Sequence, residues 1–228
     1  MNVRDRLALV LDFPTLTEAT AALAPVREFV RTVKVGYELF FAEGPPAVRT
    51  FVDDGFDVFL DVKLHDIPTT VNKGALAVGR LGARYVTVHT LGGEKMVRAA
   101  VDGLAEGAAH AGVTSPVALG VTVLTSDATA APEDVEWRMS VGRDGGCGGF
   151  ICAGAEIATA HRVAPGLITY IPGIRLAGAD VNDQGRPTTP AEAARAGATI
   201  LGIGRTVTAA EDPVAAMQRV FDEVSAAQ

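Results

Sequence analysis

Short apolar, β-branched runs recur along the whole chain, and each is followed by a stretch with the 3.6-residue period of an amphipathic helix. Residues 6–12 (RLALVLD) read as the first strand. Thr15 and Glu18 have capping-box spacing, which predicts a helix from there to about residue 30. A second strand is expected over 32–36, with a helix over 46–54 that stops at Gly55. The third strand spans 57–63, followed by a helix from about residue 69 to 81 and a stop at Gly82. Residues 85–89 (YVTVH) form the fourth, before a helix over 94–111. The fifth covers 117–124 with a weaker helix near 132–141, and the sixth covers 149–152 with a helix over 155–163. The seventh strand, 167–172, precedes a long loop and a helix at 190–196. The eighth, 199–203, precedes a final helix over about 212–226.

These strands are apolar nearly end to end, as buried parallel strands are. Eight strand–helix units in 228 residues close most economically into a (β/α)8 TIM barrel, with its ligand site at the C-terminal ends of the strands. A doubly wound sheet would need a glycine-rich turn after the first strand, where the chain reads Asp12-Phe13-Pro14. No linker, composition shift or repeat divides the chain, so one domain over 1–228 is expected.

Composition narrows the function classes. Apolar residues make up 48% and charged residues 21%, ordinary for a globular domain. A net charge of −7 argues against nucleic-acid or anionic-membrane partners, though a local cationic pocket can still take an anionic small substrate. Cys147 and Cys152 resemble no disulfide framework, and four scattered histidines give no metal-ligand spacing. The N-terminus turns polar too early for a signal-peptide core, and no run could span a bilayer, so a cytoplasmic protein is expected.

The candidate chemistry sits where the third strand ends. Val58-Phe59-Leu60 runs straight into Asp61 and Lys63, which alternation places on one face, and Asp66 follows. Charges entering from a hydrophobic strand need partners. The other strand ends supply Asp12, Lys34, His89, residues 122–126, Pro172-Gly173 and Gly204-Arg205. Asp12 and Lys34 alone also fit a salt bridge between neighbouring strands, and His89 alone also fits a satisfied rim histidine. Together, Lys34, Asp61, Lys63 and Asp66 read as an alternating array in which the carboxylates keep Lys63 a cation. Such an array suits a reaction that develops a carbanion, which a lysine stabilises and then protonates. A Schiff-base role would need a neutral lysine, which the aspartates oppose. Glycines and an arginine at the ends of strands seven and eight favour a phosphate there. The polar stretch 175–189 has the length of a lid or of a disordered segment, and the sequence fits both.

These residues resemble the orotidine 5'-phosphate decarboxylase family along nearly the whole chain. The resemblance is carried by VLDF at 10–13, KVG at 34–36 and FLDVKLHDIPTT at 59–70. VTVH at 86–89, VTVLTS at 121–126, PGIR at 172–175 and GIGRTVT at 202–208 extend it. It implies decarboxylation of orotidine monophosphate, a nucleoside monophosphate substrate, with no cofactor and no metal. It implies a homodimer in which Asp66 and Thr70 reach the neighbouring subunit's pocket, and it counts Ile67 of the same motif and His89 among the substrate-binding residues. It gives Lys63 the proton transfer, Asp61 the crowding of the substrate carboxylate, and Asp12 with Lys34 the ribose hydroxyls. Ser126 would take the pyrimidine amide edge and Arg205 the phosphate.

One position departs from the resemblance. The family's lid carries a glutamine before a glycine, and this chain has Ala177 before Gly178. An alanine offers no amide donor, a loss on the scale of about 1–3 kcal/mol for a bond to a charged group. Three alternatives therefore stand beside the leading reading. They are a decarboxylase of another carboxylated nucleotide, a magnesium-dependent sugar-phosphate decarboxylase or aldolase of the same barrel group, and a nucleotide binder without catalysis.

Overall fold

The computed structural model describes residues 1–124, 126–127, 129–177 and 188–227. Eight parallel strands, β1 (Leu7–Leu11), β2 (Thr32–Val35), β3 (Asp57–Leu64), β4 (Tyr85–His89), β5 (Val117–Val121), β6 (Gly149–Ile151), β7 (Ile168–Ile171) and β8 (Ile200–Ile203), pair in sequence order. The last closes on the first through Leu7↔Leu201 and Leu9↔Ile203, which makes the barrel the sequence predicts. Around it lie α1 (Leu16–Leu23), α2 (Tyr37–Glu43), α3 (Pro46–Asp53), α4 (Pro68–Gly79) and α5 (Glu94–Ala111). The ring continues with α6 (Pro132–Asp144), α7 (Ile157–Val163), α8 (Pro190–Arg195), α9 (Arg205–Thr208) and α10 (Pro213–Ala226). Among the described residues no helix is long and apolar enough to cross a membrane.

Most expected elements stand where the periodicity puts them, and the differences have local causes. Thr15 caps α1 by accepting from Glu18 N at 3.2 Å, but the α-helix ends at Leu23. Pro25 follows, its missing N–H cannot continue the ladder, and Ala24–Phe29 tightens into a 3-10 turn. Two helices, α2 and α9, have no counterpart in the sequence reading. Both are short: α2 fills the seven residues between Gly36 and Gly44, and α9 has four.

Two packings fix the site's frame. Inside the barrel, Phe59 meets Tyr170 edge-on at 4.7 Å and Tyr85 at 6.4 Å, filling the space below the strand ends. Outside it, α4 and α5 approach backbone to backbone. Side chains at Gly103 and Gly107 would overlap the Asn72 and Leu76 carbonyls, and Asn72 Nδ2 donates to Ala99 O at 3.0 Å. This contact holds α4 firmly, and α4 begins immediately after the charged end of β3.

Candidate active site

The site grows from an irregularity in β3. Leu60 pairs with Val86, and pairing resumes at Leu64 with Val88. Asp61, Val62 and Lys63 thus face a single residue of β4, Thr87. Lys63 absorbs the excess chain with φ +41°, the left-handed region, which costs a residue with a Cβ about 1–2 kcal/mol. Bulges of this kind re-aim side chains, and here Asp61 and Lys63 both line the same cavity.

Their charges link into a chain. Lys63 Nζ lies 2.8 Å from Asp61 Oδ1, Lys34 Nζ lies 3.4 Å from Asp61 Oδ2, and Lys34 Nζ also lies 3.3 Å from Asp12 Oδ1. Lys34 and Asp61 are mostly buried, so the pairing is what makes their charges tolerable in the barrel mouth. Gly36 is part of that pairing, because a Cβ there would stand 2.5 Å from Asp12 Oδ1 and 3.0 Å from Lys34 Nζ. Burial by itself would raise the Asp61 carboxyl. The two lysines, together with hydrogen bonds from Lys63 and Thr87, outweigh that and hold it below the ordinary carboxylate range. Lys63 Nζ also sits 5.4 Å from the centre of the Tyr37 ring.

A cavity of about 430 Å³ opens over this chain at the C-terminal ends of the strands. It gathers the expected Asp12, Lys34, Asp61, Lys63, Pro172, Gly204 and Arg205. The other expected residues lie in two adjoining clefts. Asp66 and Thr70 are exposed beside Tyr37 and Phe41, in a cleft that shares Lys63 with the main cavity, and Ile67 is 67% exposed next to them. His89 and Ser126 line a third cleft with Arg138, which shares Val123 and Leu124 with the main cavity. Within one chain, then, the array is three charges on β3 and β2 plus Asp12, with Asp66 apart from it.

His89 behaves as a neutral ring. Burial, the neighbouring His65, Arg138 and Lys63 push it down to about 4, and its Nδ1 accepts from Leu91 N at 3.3 Å. It stacks on His65 with ring centres 5.1 Å apart.

Three residues that the sequence reading did not place in the site belong to its structure. Arg175, taken for the start of a lid, is buried and lines the cavity; its Nη1 donates to Ile174 O at 3.0 Å and Thr206 Oγ1 at 3.3 Å. Its place in PGIR, beside the phosphate-type strand ends, was the available signal. Tyr170 forms part of the cavity floor, and among the described residues its Oη has no hydrogen-bond partner. A Cβ at Gly202 would overlap that oxygen, so the bare glycine on β8 makes its room. Thr87 contacts Asp61 and Lys63 from below, and only its alternation within YVTVH could have pointed inward. Of the expected lid, Ala177 is an exposed turn residue, and 178–187 lie outside the described residues, as does Thr125 of VTVLTS. Among the described residues no three His, Cys, Asp or Glu side chains converge as a metal-ligand set.

Comparison with known proteins agrees with this fold. The family model described as Orotidine 5'-phosphate decarboxylase / HUMPS family matches residues 5–220. An orotidine 5'-phosphate decarboxylase of Anaeromyxobacter sp. (strain K) is 42% identical over 225 residues, spanning 96% of this chain and 98% of the relative. One of Lactiplantibacillus plantarum is 41% identical over 232 residues, with 96% and 98% covered. Among solved structures, an orotidine 5'-phosphate decarboxylase from Lactobacillus acidophilus superposes with a TM-score of 0.81 at 32% identity, covering 96% of this chain and 98% of that one.

Proposed function

The chain belongs to the orotidine 5'-phosphate decarboxylase / HUMPS family, and we propose on that premise that it converts orotidine 5'-phosphate to uridine 5'-phosphate and carbon dioxide without a cofactor. The observation that carries this reading is the Lys34–Asp61–Lys63 ion chain in the wall of the cavity. Breaking the bond between carbon 6 and the carboxylate leaves its electron pair on carbon 6. The site therefore has to tolerate a carbanion and then protonate it. In this reading the substrate carboxylate lies against Asp61. Two anions in a poorly solvated pocket repel, and that repulsion disappears as the carboxylate departs as neutral carbon dioxide.

Lys63 Nζ faces the developing negative charge and donates a proton to carbon 6, so the pair left by the broken bond becomes a C–H bond. Water returns the proton to Lys63. Asp12 and Lys34 take the ribose hydroxyls, Ser126 takes the pyrimidine amide edge, and Pro172, Gly204 and Arg205 surround the phosphate. A second copy of the chain supplies Asp66 and Thr70. The exposed Tyr37, Phe41 and Ile67 around those two residues support a covered face, since exposed apolar clusters mark contact surfaces.

Purified protein mixed with orotidine 5'-phosphate should bleach the substrate's ultraviolet band, and Lys63→Ala should abolish the change. Absence of turnover by folded protein at high concentration would sink the proposal. The same assay with a chelator separates it from a magnesium-dependent sugar-phosphate lyase, whose activity the chelator would remove.

A further inference from the structure

Thr87 does not line the cavity, yet it touches both residues of β3 that do so with a charge, Asp61 and Lys63. Its Oγ1 accepts from Lys63 N at 2.8 Å and donates to Asp61 Oδ1 at 3.0 Å. A hydroxyl has one proton and two lone pairs, so this single group serves a backbone donor and a carboxylate at once. The Lys63 N–H it receives belongs to the residue at φ +41°, in the stretch where β3 has lost register with β4. The carboxylate it binds holds Lys63 Nζ at 2.8 Å. One hydroxyl thus closes a ring of contacts: Thr87 to the Lys63 backbone, along the Lys63 side chain to Asp61, and back to Thr87.

The position suits the task. Thr87 is fully buried between Val86 and Val88, both in the ladder, and its branched Cβ limits χ1, so the hydroxyl has a fixed aim. An unstrained strand would need no such support. A left-handed lysine persists only where its surroundings over-determine it.

We infer that Thr87 is a positioning residue for the proposed reaction: its hydroxyl holds the β3 bulge in the form that presents Lys63 Nζ and the Asp61 carboxylate to the cavity. The inference rests on Lys63 and Asp61 acting as proposed above, and it is separable from that reading. Thr87→Val keeps the shape and removes the hydroxyl, whereas Thr87→Ser keeps the hydroxyl. With orotidine 5'-phosphate as substrate, Thr87→Val should lower kcat about 10- to 100-fold with KM changed less than about threefold, because misplacement of a reacting group affects the chemical step. Thr87→Ser should restore kcat to within a few-fold of the parent. Asp61 faces Lys34, Lys63 and Thr87, so losing the Thr87 bond should also move the Asp61 titration, read by carbon-13 NMR, to higher pH. A parent enzyme that turns over beside an unchanged Thr87→Val enzyme would overturn the inference and leave the function standing. A parent that does not turn over would overturn the function. In that case the Asp61 titration decides, and an unshifted titration in folded Thr87→Val protein overturns the inference as well.

Discussion

Lys63 Nζ lies 2.8 Å from Asp61 Oδ1 even though the backbone between them is out of register with the neighbouring strand. Asp61 is the pivot of the array, because Lys34 takes its other carboxylate oxygen. Asp61→Asn keeps the shape and removes the charge. Turnover of orotidine 5'-phosphate should fall by at least about 10²-fold, the scale for losing a positioned proton-transfer group or its support. The folded carboxyl is held below its ordinary range, so its stabilising contribution is complete above about pH 4 and is lost as pH falls through the folded value. Acid unfolding below about pH 4 should therefore be shallower in Asp61→Asn than in the parent.

His89 gives the same kind of pH dependence in a higher window. Its ring is held down to about 4, against an unfolded value near 6.5. The unfolded chain takes up the proton first, so the His89 contribution is whole above about pH 6.5 and is lost on acidification toward 4. Urea midpoints measured across that window should fall less steeply for His89→Phe. Parallel curves would show that another group governs the window.

Tyr170 carries a buried hydroxyl with no partner among the described residues. An unsatisfied buried donor costs about 1–3 kcal/mol. Tyr170→Phe removes it and keeps the edge-on contact with Phe59. Stability should rise by about 1 kcal/mol, or about 2–4 °C in Tm for a chain of this size. A lower Tm would mean that the hydroxyl is satisfied in solution.

The proposed second copy can be tested by complementation. Lys63→Ala and Asp66→Asn should each be inactive alone. In a mixed dimer one of the two sites would combine an intact Lys63 with an intact Asp66 from the other subunit. Unfolding and refolding the two variants together should restore about one quarter of parent activity, given statistical pairing. No recovery, with dimers shown by sedimentation, would mean that Asp66 does not act across the subunit interface.

The barrel was readable because its strands are apolar end to end and its helices are periodic; β4 and α5 fall on the predicted residues 85–89 and 94–111. Asp12, Lys34, Asp61, Lys63 and Arg205 were readable as site residues because a parallel barrel brings its strand ends to one mouth. What alternation could not supply was register. Nothing in DVFLDVKL shows that three of its residues oppose one on β4, so the left-handed Lys63 and the role of Thr87 appear only in three dimensions. Arg175 is hard to place from sequence for a related reason. A polar loop follows it in the sequence, but its guanidinium turns back toward Thr206 and the β8 end.

The aromatic packing beneath the cavity has a further consequence, for traffic. Phe59, Tyr85 and Tyr170 fill the barrel interior, and Gly202 yields its space to Tyr170, so the barrel is a blind well and not a tunnel. Substrate and both products then share one doorway at the strand ends. In the proposed reaction anything that blocks this mouth therefore blocks entry and release alike.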